Sequence, residues 1–164
     1  MTVPRRGALA LLVGAGLAGC GFRLRGAPSF AFERLHLAGF DARSPLREAL
    51  EAQLPRLPLQ LTAQRAQAQV VLEALKESHH KLAVASTAAG QVREWQLHLV
   101  LDYRLITPAE DVLLPATQLR LVRDLSTTEA ATLAKEYEEA DLRRAMQVEA
   151  VNLLLRRLAA VRLR

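Results

Sequence analysis

The stretch EWQLHLVLDYRL, residues 94–105, sets the architecture of the chain. Trp95, Leu97, Leu99, Leu101, Tyr103 and Leu105 occupy one parity, and Glu94, Gln96, His98, Asp102 and Arg104 the other. A period of two with one apolar and one polar side is the signature of a half-buried β-strand. His98 falls on the polar side, where it reads as a solvated strand residue. Pro108 to Asp111 supplies a turn, after which Leu113, Thr117, Leu119, Leu121 and Leu125 continue the alternation against Gln118, Arg120 and Asp124. Two such strands around a short turn predict an antiparallel hairpin. One-sided alternation further requires a helical layer over the apolar face, leaving the polar face to solvent or a polar partner.

The flanking segments supply that layer. Downstream, Ser126-Thr127-Thr128-Glu129 fits a capping box. Leu142, Met146, Ala150, Leu153, Leu154, Leu158 and Val161 then recur at helical spacing. Acids lie early (Glu136, Glu138, Glu139, Asp141) and arginines late (Arg156, Arg157, Arg162), as the helix dipole favours. Upstream, Ala88-Ala89-Gly90 reads as a turn and Val70 to Leu75 as a strand. Ser44 and Pro45 open a helix as N-cap and first residue, Leu46, Leu50 and Leu54 form its stripe, and Pro55 ends it. Phe32 to Phe40 is a short strand ending at Gly39, with Leu35 and Leu37 opposite Arg34 and His36, and residues 57–61 are an extended link. Strand, helix, strand implies a right-handed crossover if the two strands are parallel neighbours. The sum is an α+β chain of four strands and two helices.

One cluster invites a chemical reading. Ser78-His79-His80-Lys81 matches S-x-x-K and offers two histidines. Adjacent histidines on a strand point to opposite faces and cannot readily share one ion. S-x-x-K needs a helix to bring lysine to serine, and its companion motifs are absent. The cluster therefore reads as a solvated strand or loop.

The start of the chain sets its address. Arg5 and Arg6 precede an apolar run from Ala8 to Ala18, and Leu17-Ala18-Gly19 leads into Cys20, the sole cysteine. This resembles a secretory signal ending in a bacterial lipobox, in which the cysteine is acylated and the signal is cut before it. The run is too short and too rich in Gly and Ala for a span of about 20 apolar residues. Acyl chains at about 0.8 kcal/mol per methylene would anchor the protein in its place. The expected division is residues 1–19 as signal peptide, 20–31 as lipidated tether and 32–164 as a single domain, with no cofactor beyond the lipid on Cys20. An Asp after the cysteine commonly retains lipoproteins at the inner membrane, so Gly21 is compatible with outer-membrane delivery. Beyond the signal the formal charge falls from +5 to +3, with 17 acids interspersed among the bases and 4% aromatic residues. That composition offers no basic, stacking surface for nucleic acid.

Cys20 opens the sequence C-G-F-R-L-R-G, residues 20–26. This start, together with Leu114-Pro115 through Arg123-Asp124, Leu133-Ala134-Lys135-Glu136, Glu139, Met146 and Leu154 to Leu158, resembles the LPS-assembly lipoprotein family LptE. The resemblance implies a two-layer sandwich of two helices packed on a four-stranded, mostly antiparallel sheet. It implies an outer-membrane lipoprotein that plugs and helps assemble the LptD β-barrel and takes part in lipopolysaccharide delivery, without catalysis. Some members carry a polar tail that this chain lacks, removing any tail-mediated contact. Lipopolysaccharide is anionic, so Lys135 and Arg123, in matching stretches, become candidates to bind it, with Arg93 and Arg120 added as polar-face residues. A stand-alone periplasm-facing lipoprotein that binds lipid or peptidoglycan is the alternative. A lipid-anchored hydrolase lacks a paired-carboxylate site, a nucleophile elbow or a metal set in this sequence.

Overall fold

The computed structural model describes residues 28–126 and 132–163. Cys20, the segment 21–26 and most of the expected capping box fall outside these residues; Ser126 itself is the last residue of a strand. In chain order the elements are β1 (Arg34–Ala38), α1 (Pro45–Gln53), β2 (Gln60–Leu61), β3 (Val70–Ser86), β4 (Val92–Ile106), β5 (Val112–Ser126) and α2 (Thr132–Ala159). The strands form one sheet in the order β2-β1-β3-β4-β5. β1 runs parallel to both β2 and β3, and the β3–β4 and β4–β5 pairs are antiparallel.

The expected four-stranded, mostly antiparallel sheet is thus corrected to a five-stranded mixed one. The added strand lies in the segment expected to be a mere link. A 3₁₀ turn at Leu54–Arg56 follows α1, and the chain then reaches β1's edge, where Gln60 N–H donates to Glu33 O and Thr62 N–H to Leu35 O. Two residues are too few to show any periodicity.

α1 forms as its residue order dictates. Ser44 has extended backbone, and its Oγ accepts from Arg47 N–H at 2.9 Å. Leu46, Leu50 and Leu54 are buried, and so are Leu97, Leu99, Leu101, Tyr103 and Leu105 from β4. Met146, Ala150, Leu154 and Leu158 of α2 complete the same core, and Leu119 and Leu121 join from β5. Each buried large apolar side chain contributes about 1.5–3 kcal/mol relative to exposure, far more than a surface ion pair. Packing between helices and sheet therefore holds the fold. A second, small cluster of Ala68, Val71 and Ile106 caps the other sheet face at one end, beneath the 3₁₀ turn Arg65–Gln67.

β3 departs most from expectation. It runs for 17 residues rather than ending at Leu75, because Leu75 is a bulge. Before it, Leu72 and Ala74 stand opposite Leu105 and Tyr103 and face the helices. After it, Glu77, His79 and Lys81 stand opposite the buried Leu101, Leu99 and Leu97. The extra residue inverts the parity, so polar side chains occupy the helix-facing side of β3's far half.

Gly39 makes the turn out of β1 possible. Its φ is +73°, and a Cβ there would overlap the Ala74 carbonyl of β3. Only glycine allows both the conformation and the approach.

Candidate functional site

The parity switch builds a polar seam between sheet and helices. Glu77 accepts from Ser44 Oγ at 2.6 Å and lies 2.8 Å from His79 Nε2, tying the α1 cap to β3. Burial pushes its carboxyl up, but the hydrogen bonds from His79 and Ser44, the nearby imidazole and the Leu46 backbone outweigh this and hold it below its ordinary value. Two residues on, Lys81 Nζ reaches Glu139 Oε2 of α2 at 2.5 Å and sits 4.7 Å from the centroid of Trp95. Arg143 donates to Glu139 Oε1 from one turn further along the helix. The Lys81 hydrogen bond leads in lowering the Glu139 pKa, with burial opposing and Arg143 assisting. On the other side of the seam, Arg123 of β5 pairs with Glu149. α2 is thereby clamped from β3 and from β5, with Met146 inserted between the clamps.

Among the described residues, no α-helix covers the opposite face of the sheet. Across β3, β4 and β5 it reads Lys76–Asp102–Gln118, Ser78–Val100–Arg120, His80–His98–Val122 and Leu82–Gln96–Asp124. Gln96 donates to Asp124 at 3.0 Å and Gln118 to Asp102 at 2.8 Å. This is a polar, cross-strand-bonded surface. His79 and His80 lie on opposite faces, as do Ser78 and Lys81, so neither pair forms a joint site.

The four basic candidates are dispersed. Lys135 pairs with Glu138 on its own helix at 2.6 Å. Arg123 belongs to the helix-facing parity of β5. Its partner Glu149 is fourteen residues beyond Lys135 on α2, about 21 Å along the axis. Arg93 lies at the end of β4 near the β3–β4 turn, 3.4 Å from Gln91 Oε1. Lys135, one turn before Glu139, is near that same end. Arg120 is exposed on the uncovered face and makes no ion pair among the described residues. The partners of Lys81 and Arg123 on α2 were not anticipated. Their only sequence signal is a carboxylate on the helix side toward the sheet, meaningful once register is known.

Residues 32–158 match the family model LptE, described as lipopolysaccharide-assembly. The chain belongs to the LptE family. Its curated relatives include the LPS-assembly lipoprotein LptE of Pectobacterium atrosepticum, 29% identical over 147 residues, 88% of this chain and 79% of that one. The protein of the same description from Yersinia enterocolitica is 28% identical over 156 residues, 93% and 73% of the two chains. Among solved structures, lipoprotein B of Nitrosomonas europaea superposes with a TM-score of 0.73 at 28% identity, over 85% of this chain and 91% of that one. The rare lipoprotein B of Shewanella oneidensis, at 19% identity and TM-score 0.65 over 78% and 95%, shares the fold. This LptE-family chain has no helix among the described residues long and apolar enough to cross a membrane.

Proposed function

We propose that the chain is an outer-membrane lipoprotein of lipopolysaccharide assembly, acylated at Cys20, that plugs an LptD-type β-barrel and helps it assemble. Residues 1–19 are its signal and 20–31 its tether. The role is binding and assembly, not catalysis. The observation that carries this reading is the one-sided sheet: both helices cover one face, and the other, across β3 to β5, is a polar surface bonded strand to strand. Wide barrels have polar lumens, and such a face can meet one without stranding apolar area in water. Family membership supports the lipopolysaccharide side of the reading.

A tagged protein extracted in mild detergent should bring down a large β-barrel polypeptide in stoichiometric amount. Recovery of the lipoprotein alone would overturn the plug and favour the stand-alone alternative. Cys20→Ser should release the protein from membranes when no barrel is present. For lipopolysaccharide contact, Lys135, Arg123, Arg93 and Arg120 stay the proposed residues. Lys135→Glu with Arg123→Glu should weaken binding to purified lipopolysaccharide, while unchanged binding in a folded variant would sink that assignment.

A further inference from the structure

The bulge at Leu75 also decides which way His80 points. Without the extra residue His80 would share the helix-facing parity of Leu72 and Ala74. With it, His80 stands directly opposite His98 of β4, on the face that no α-helix covers among the described residues. Directly opposed residues of an antiparallel pair hold their Cβ atoms about 4.5–5.5 Å apart. His98 is half-buried, with Val122 opposite it on β5, and His80 is exposed. His80 makes no hydrogen bond or ion pair among the described residues, so its ring is free to turn toward its neighbour.

The His98 ring is held, and the way it is held fixes its chemistry. Gln96 Nε2 donates to Asp124 Oδ1 at 3.0 Å, and Gln96 Oε1 lies 3.2 Å from His98 Nε2. A carboxylate only accepts, so the amide turns its NH2 to Asp124 and its oxygen to the imidazole. His98 Nε2 therefore carries a proton and donates it, and in the neutral ring the lone pair is left on Nδ1. An imidazole oriented through one nitrogen, with the other left open, is how metal-binding histidines are held. Arg120 and Asp124 stand on the two diagonals of His98 across β5, and their charges offset each other.

We propose that His80 and His98 together bind one divalent transition-metal ion of the zinc and copper type, His98 through Nδ1, with water in the remaining positions. Two nitrogens on one tetrahedral ion lie about 3.3 Å apart at metal–nitrogen distances of about 2.0–2.1 Å. Rings on opposed Cβ atoms close that span by side-chain rotation alone. Imidazole donors without a thiolate suit zinc, copper and nickel, and not magnesium or calcium. No group of three or more His, Cys, Asp or Glu side chains among the described residues is placed to hold a metal, so the site is an open, two-histidine one. Its ion ties β3 to β4 in the half of β3 that β1 does not reach.

The test is calorimetric titration of the full chain in detergent with Zn2+, any histidine tag having been removed. One ion per chain is expected, with no binding of Mg2+ at the same concentration. His80→Ala and His98→Ala should each weaken Zn2+ binding at least tenfold. His36→Ala should leave it unchanged, since that ring bonds Thr62 O at the β1–β2 edge. Zn2+ at 100 times its Kd should raise the Tm of the wild type by roughly 5–10 °C and leave that of His80→Ala unmoved. Nitrogen NMR of the imidazoles should find the ion on His98 Nδ1, with the proton kept on Nε2. Binding that survives either substitution, or that falls with one histidine and not the other, overturns the pair. Folded wild-type protein that gives neither heat nor a Tm shift overturns the site, and an ion found on His98 Nε2 overturns the part assigned to Gln96 and Asp124.

Discussion

Ser44→Ala tests whether the α1 cap and the polar seam form one unit. In the fold the Ser44 hydroxyl does two things at once: Oγ accepts from Arg47 N–H at 2.9 Å and donates to Glu77 Oε2 at 2.6 Å. Losing a serine cap costs about 1 kcal/mol. Losing a hydrogen bond to a charged group costs about 1.5–3 kcal/mol, and Ser44 and Glu77 are both shielded enough for water to replace it poorly. The expected total is about 2–4 kcal/mol, or a fall in Tm of roughly 5–15 °C for a chain of this size. Thermal and urea unfolding followed by circular dichroism would measure it. Ser44→Asp separates the two roles. Aspartate caps as well as serine, but here it sets a second carboxylate against Glu77, so it should be destabilising near neutral pH and recover as one carboxyl protonates. The acid limb has a defined sign. Glu77 is held below its ordinary 4.5, so its contribution is present above that value and is lost as pH falls through the lower folded value. Ser44→Ala removes a donor that lowers this pKa, and the stability gap to wild type should narrow on acidification. A Ser44→Asp protein as stable as wild type near pH 7 would refute the coupling and leave Ser44 as a cap alone.

Other substitutions probe the rest of the fold. Leu154→Ala, at a fully buried position of α2, should cost about 2–5 kcal/mol in urea unfolding. Gly39→Ala and Gly90→Ala both force alanine into positive φ, but only position 39 would also strike Ala74. Position 90 should lose about 1 kcal/mol and position 39 clearly more. Arg123→Ala breaks a pair whose side chains are 40% and 41% exposed, so stability should change by less than about 1 kcal/mol. A large loss of lipopolysaccharide binding by that same variant would then report contact and not unfolding. Lys81→Ala removes an ion pair and the approach to Trp95, and a loss of about 1 kcal/mol is expected.

The sequence by itself determined the elements whose pattern is local. The alternation of residues 94–105 and 113–125 gave the hairpin, the Ser44-Pro45 start with Leu46, Leu50 and Leu54 gave α1, and the spacing of Met146, Ala150, Leu154 and Leu158 gave α2's buried stripe. These follow because side-chain period and cap chemistry are properties of a few neighbouring residues. The basic candidates could be named but not grouped, since proximity between β5 and α2 is not a local property.

Tertiary structure alone decided what depends on pairing. β2 is a strand only because β1 offers Glu33 and Leu35 carbonyls to Gln60 and Thr62. Arg123 shares the parity of Leu119, Leu121 and Leu125, and only the packing of α2 on that face brings Glu149 to it. The bulge at Leu75 had the largest effect: one unpaired residue inverted the faces of β3 and moved His79 and Lys81 from expected solvent to the helix seam. A bulge is set by the register of two strands held by a packed core, and no single strand's sequence carries that register.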